Sequence, residues 1–140
     1  MSKSSSSINQ PNTQEIPVDR WIPFLAKFTR ENRGAHARLE IVAPDAEVGY
    51  QVETEDRPFD GVSADIKDRE RTIWIAFGSR PENHLTHGVE QAKVIRTLPK
   101  HDKGGVVLEV EAADGTNTIL DLTSPEAYAL PPAESHNRRK

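Results

Sequence analysis

Val106–Leu122 reads V-V-L-E-V-E-A-A-D-G-T-N-T-I-L-D-L, which is two alternating apolar and polar runs joined at Asp114-Gly115. An Asp-Gly pair between two such runs is the short sequence pattern most typical of a β-hairpin. Alternation with a period of 2 also makes one face of each strand apolar and the other polar. This stretch therefore predicts an antiparallel sheet that is packed on one side and solvated on the other.

The same pattern selects the loop of the hairpin. If Ala113, Asp114 and Gly115 form the loop, with Gly115 in the left-handed conformation, Leu108 pairs with Leu120 and the apolar residues share one face. A shorter, two-residue turn would instead put a charge and a leucine on each face. The longer loop sends the charged residues of the hairpin to the solvated face: Glu109, Glu111 and Asp121.

The sequence predicts one helix before the strands. Four large apolar residues have the spacing i, i+3, i+4 and i+7 of a single helical face: Trp21, Phe24, Leu25 and Phe28. Asp19 is expected to be the N-cap, and Gly34 is expected to end the helix. Three aromatic rings on one stripe need a surface that covers them, and we expect this surface to be the sheet.

From Ala35 onward the apolar period changes from 3.6 to 2, which is typical of strands. The alternating runs recur every 10 to 15 residues or so, with turn residues between them, which predicts a meander instead of parallel βαβ units. Within Arg71–Gly78, Trp74 and Ala76 make the second face apolar as well, so we expect a central strand covered on both sides.

These patterns predict an α+β fold. An N-terminal amphipathic helix packs on a twisted antiparallel β-sheet of about six strands, which forms a meander or an open barrel. Residues 1–14 are predicted to be a disordered tail, residues 15–124 a single α+β domain, and residues 125–140 a mostly disordered C-terminal tail. No apolar run suggests a membrane span or a signal peptide, so the expected location is the cytoplasm.

Composition narrows the classes of function. The sequence has no cysteine, which excludes disulfides, thiolate nucleophiles and cysteine-ligated metals. Residues 15–124 carry 14 Lys and Arg against 20 Asp and Glu, a net charge of −6. An acidic domain repels phosphate groups, so nucleic acid is disfavoured as a partner.

Several motifs resemble those of a small bacterial family catalogued only as a domain of unknown function. The resemblance spans Glu15–Ser124 and is carried by these stretches: I-P-V-D-R-W-I-P-F-L-A-K-F, the following R-G, G-V-S-A-D-I, H-L-T-H and A-D-G-T-N-T-I-L-D-L. It implies a bacterial protein with a single domain. It implies no activity, cofactor, partner or functional residue.

His84-Leu-Thr-His87 is the cluster that most suggests a site. The two imidazoles, with Glu82 and Glu90 nearby, could supply nitrogen and carboxylate ligands to Zn²⁺ or a similar ion. Such a site needs at least a third ligand, and the sequence does not identify it. The alternative is structural, with one imidazole bonded to loop backbone and the other solvated.

No catalytic set is evident, so we expect a non-enzymatic accessory or interaction module that uses no cofactor and binds an unknown protein partner. The alternative is a metal-binding protein or metal-dependent hydrolase centred on His84 and His87, with zinc or another divalent metal as its cofactor.

Overall fold

The computed structural model describes residues 13–45, 50–52, 57–100 and 104–124, without the side chains of residues 50–52. These residues form one α-helix, α1 (Trp21–Asn32), and two antiparallel sheets. The strands are β1 (Gln14–Ile16), β2 (His36–Val42), β3 (Tyr50–Val52), β4 (Phe59–Lys67), β5 (Glu70–Phe77), β6 (Leu85–Val89), β7 (Ala92–Pro99), β8 (Gly105–Ala112) and β9 (Asn117–Thr123). The predicted α+β class is confirmed.

The strands divide between a large sheet, in the order β1-β7-β8-β9-β2-β3, and a small sheet, in the order β4-β5-β6. The sequence did not predict β1, which lies before the alternating runs that begin at Ala35, or β6, whose histidines were expected in a loop. β1 begins at Gln14, the last residue assigned to the N-terminal tail. The remainder of that tail up to residue 12, and residues 125–140, lie outside the described residues.

The predicted hairpin is present as β8 and β9. Leu108 lies opposite Leu120, as the alternation requires, and Gly115 has a φ of +94°. Glycine adopts a positive φ without strain. The pairing of Leu108 with Leu120 confirms the predicted register, and the φ of Gly115 confirms the predicted loop.

The core lies between the facing sides of the two sheets. Side chains that are fully buried point inward from both sheets: Leu39, Ile95, Leu108, Leu120 and Leu122 from the large one, and Ile73, Ile75 and Phe77 from the small one. From α1, Trp21, Leu25 and Phe28 join this core, and the ring of Phe28 packs edge-on against Phe59 at a centroid distance of 5.9 Å. The apolar stripe of the helix is therefore covered by the sheets, as predicted.

The helix also covers one edge of the small sheet. The Val62 N–H donates to the Thr29 hydroxyl (2.9 Å), and that hydroxyl donates back to the Val62 carbonyl (3.1 Å). Two further backbone bonds join Phe59 to the residues that follow the helix, Gly34 and Ala35. The outward-facing groups of β4 at Phe59 and Val62 are therefore satisfied within the fold.

The predicted start of the helix is wrong in one respect. Asp19 lies in a short 3-10 turn, Val18–Arg20, and Arg20 precedes the helix without capping it through its side chain. The start of the helix is held in place instead by the Trp21 indole N–H, which donates to the Ile16 carbonyl (2.9 Å). No helix in the described part of the chain has the length and apolar character to cross a membrane.

The prediction that Glu109 faces solvent is also wrong, since its side chain is fully buried. Arg96, on the neighbouring strand β7, places Nη1 3.3 Å from Glu109 Oε1 and Nη2 3.0 Å from Glu111 Oε1. A buried carboxylate is tolerated when it is paired with a cation and hydrogen-bonded, which Arg96 provides here.

Replacing Phe28 by alanine tests the helix packing. Phe28 is 4% exposed and packs on Phe59, so Phe28→Ala should lower the unfolding free energy by about 3 kcal/mol in urea denaturation. Ile22 lies on the same helix but is 58% exposed, so Ile22→Ala should cost less than about 0.5 kcal/mol. Equal losses in the two variants would contradict the packing described.

Candidate functional site

β6 is the edge of the small sheet opposite the helix, and its hydrogen-bonding direction follows from the ladder. In antiparallel sheets, residues along a strand direct their N–H and C=O groups alternately to one side and the other. Val62 directs its groups at Thr29, so Ile75, which lies opposite Val62, directs its groups at β6. The partner of Ile75 on β6 is His87. The backbone N–H and C=O groups of His87 therefore bond to Ile75 of β5 and do not face the free side of β6.

Thr86 and Gly88 flank His87, so their backbone groups point away from β5. No described residue forms a backbone hydrogen bond with these groups outside the β5–β6 ladder. The strand Leu85–Val89 contains neither lysine nor proline, the residues that commonly block an exposed edge. Among the described residues, β6 therefore presents an open edge, on the side of the small sheet opposite the covered edge of β4.

Trp74 lies on the outer face beside this edge. Its side chain is 42% exposed, so the prediction that this face of β5 is covered is wrong. Trp74 pairs with Gly88, and its ring lies over that glycine so closely that a Cβ there would be 2.5 Å from indole Cζ3. Gly88 thus allows a large, flat apolar surface to lie against the open edge.

A hollow of about 320 Å³ lies on the inner side of β6. Three parts of the fold bound it: β6 with the turn that follows, β2, and the end of the β8–β9 hairpin. The lining residues are Ile41, His87, Gly88, Val89, Glu90, Ala112, Asp114, Thr116 and Thr118. Burial of the His87 ring lowers its pKa from the ordinary value of 6.5. The imidazole in this hollow is therefore neutral near pH 7.

Two carboxylates, those of Glu90 and Asp114, lie at the border of the hollow. Neither the Glu90 nor the Asp114 carboxylate forms an ion pair with a described residue. Hydrogen bonds from the backbone and side chain of Thr116 lower the pKa of Asp114, which keeps it ionised. The side chain of Thr118 is 2% exposed and lines the same hollow.

The residues predicted as metal ligands are separated into different surroundings. His84 Nε2 lies 3.6 Å from Asp60 Oδ2, and Glu82 Oε2 lies 3.5 Å from Arg80 Nε. His87 and Glu90 line the hollow together.

Across the described ranges, no three His, Cys, Asp or Glu side chains are grouped so that they could hold a metal ion. Metal binding by His84 and His87 stays a prediction.

The sequence patterns did not reveal the open edge or the hollow. The histidines were expected in a loop, whereas Leu85, His87 and Val89 alternate along β6 and point to the inner side. That alternation is the signal that could have identified the strand. The residues of the hollow come from three separate parts of the chain, and only the fold brings them together.

The chain belongs to the family of unknown function DUF5335, whose model matches residues 12–131. It is similar to an uncharacterized protein of the bacterium Aquifex aeolicus (strain VF5), with 27% identity over 119 residues that cover 85% of this chain and 97% of that protein. No solved structure matches the chain.

The pKa of His87 predicts how stability depends on pH. The pKa is lower in the folded state than in the unfolded chain, so the folded state binds fewer protons around pH 6. The contribution of His87 to stability is therefore present above about pH 6.5 and is lost as pH falls through that value. Urea denaturation across this range should show a smaller loss for His87→Gln than for wild type, while His84→Gln should keep the loss attributed to His87.

Zinc titration tests the metal-binding hypothesis. Because His84 and His87 have different neighbours, we expect added Zn²⁺ to leave the melting temperature unchanged, since a ligand that does not bind the native state cannot stabilise it. A saturable rise in melting temperature that His84→Ala abolishes would show the opposite and would favour the metal-dependent hydrolase.

Proposed function

We propose that this protein is a non-enzymatic interaction module that binds an extended segment of a partner protein by β-strand addition at β6. The observation that carries the proposal is the open edge, where the backbone groups of Thr86 and Gly88 point away from the sheet. In strand addition, main-chain hydrogen bonds supply much of the affinity, and side-chain contacts on the two faces supply the specificity.

The surroundings of β6 fit this mode of binding. An added strand would lengthen the small sheet and place alternate side chains on its two faces. On the outer face it would meet the exposed indole of Trp74, and on the inner face it would meet the hollow beside His87. Aromatic residues that combine a large apolar surface with partial exposure are common anchors of protein interfaces.

The other edge of the small sheet explains why binding is assigned to β6. There, Thr29, Gly34 and Ala35 already bond to the outward groups of β4. As part of the proposal, the module works in the bacterial cytoplasm, which accords with a chain that contains no cysteine.

Selection from a library of random seven-residue peptides tests the proposal, with wild-type protein as bait. Peptides that bind wild type should fail to bind Thr86→Pro, because proline removes an edge N–H and blocks pairing of the added strand. The mutated N–H does not bond to β5, so the domain should stay folded, as a melting curve would show. Thr86→Val is the matched control, since it changes the same exposed side chain and keeps the N–H.

Two results would contradict strand addition at β6. One is a selection that enriches no peptide above background. The other is a set of enriched peptides that bind wild type, Thr86→Val and Thr86→Pro with equal affinity while all three proteins are folded.

A further inference from the structure

We infer that the partner segment is basic at the position beside His87, where it places a lysine or arginine side chain into the hollow bounded by Glu90 and Asp114. This inference rests on the proposed strand addition and names the chemistry of the partner.

The geometry of the ladder sets which side chain of the partner reaches the hollow. His87 bonds to Ile75, so an added strand would meet His87 at a non-hydrogen-bonded position, where paired Cα atoms are about 4.5 Å apart. Side chains at such a pair project to the same face of the sheet. The imidazole lines the hollow, so the partner residue opposite His87 points toward the hollow as well.

The hollow is large enough to admit one long side chain. Its volume of about 320 Å³ lies at the lower end of the range of roughly 300–1,000 Å³ that holds small ligands in proteins. Apolar walls from Ile41, Val89 and Ala112 suit the methylene stem of a long cationic side chain, whose charged end stays near polar groups.

The charges around the hollow favour a cation at that end. The carboxylates of Glu90 and Asp114 form no ion pair with a described residue, so each is available to an incoming charge. His87 is neutral near pH 7, because burial lowers its pKa, and therefore does not repel a cation.

The donor groups of a basic side chain match the two carboxylates. The ammonium group of lysine and the guanidinium group of arginine carry several donors and no acceptor, whereas the ionised carboxylates of Glu90 and Asp114 are acceptors only.

The net negative charge of residues 15–124 also favours a basic partner, and it acts at longer range. The segment of residues 15–124 has 14 basic and 20 acidic side chains, so its field attracts a basic segment before contact. Such attraction weakens as salt is added, because surface charges are screened over about 10 Å at 0.1 M ionic strength. Binding of a basic segment should therefore weaken with salt more than binding of a neutral one.

Two synthetic probes test the inference. Both are fluorescein-labelled seven-residue peptides of alternating threonine and valine, with lysine at the centre of one and uncharged norleucine at the centre of the other. Fluorescence anisotropy should show the lysine peptide binding wild type at least about fivefold more tightly at low salt. The double variant Glu90→Gln, Asp114→Asn should remove this preference.

Asparagine at position 114 keeps a side-chain acceptor for the Thr116 N–H, so the loop should be preserved. Glu82→Gln is the matched control, because Glu82 is exposed, pairs with Arg80 and does not line the hollow. It should keep the preference for the lysine peptide.

The remaining outcomes separate the inference from the proposed function. Equal binding of the two peptides, lost in Thr86→Pro, would overturn the basic position and leave strand addition standing. A lysine preference that survives in the double variant would overturn the assignment to Glu90 and Asp114. Binding of neither peptide, or binding that Thr86→Pro leaves intact, would contradict the inference and strand addition together.

Discussion

The two hydrogen bonds between the Thr29 hydroxyl and the backbone of Val62 close one edge of the small sheet to pairing with another strand. A strand at the edge of a sheet exposes donors and acceptors that must find partners in the protein, in water or in another chain. Thr29 supplies both partners for Val62, and the same helix buries Trp21, Leu25 and Phe28 in the core. The same helix therefore completes the core and protects the β4 edge. Among the described residues, the β6 edge has no such protection.

The open edge lies between two surfaces of different character. Trp74 offers a flat apolar surface on one side, which exists because Gly88 has no side chain to displace the ring. On the other side, Glu90 and Asp114 bound a hollow with a neutral imidazole at its wall. In the proposed strand addition, a strand that paired with β6 would meet both surfaces through alternate side chains, so both of its faces would contact the protein.

Local patterns predicted the features that local physics controls. The alternation of Val106–Leu122 and the need for a positive φ at Gly115 were sufficient to give the hairpin register, and the spacing of Trp21 and Phe28 identified the buried face of the helix. The exposure of Trp74 and the burial of Glu109 could not be predicted in this way. Both depend on neighbouring strands that are distant in sequence, as the pairing of Glu109 with Arg96 shows.

Residue-resolved amide hydrogen exchange, followed by NMR on the free protein, tests the open edge most directly. The amides of Val62 and His87 bond within the fold and should exchange slowly, whereas those of Thr86 and Gly88 should exchange at close to the unprotected rate. When an extended peptide that binds the protein is added, the amides of Thr86 and Gly88 should become protected from exchange. If their amides are already as protected as that of Val62 in the free protein, β6 is not an open edge and strand addition there is contradicted.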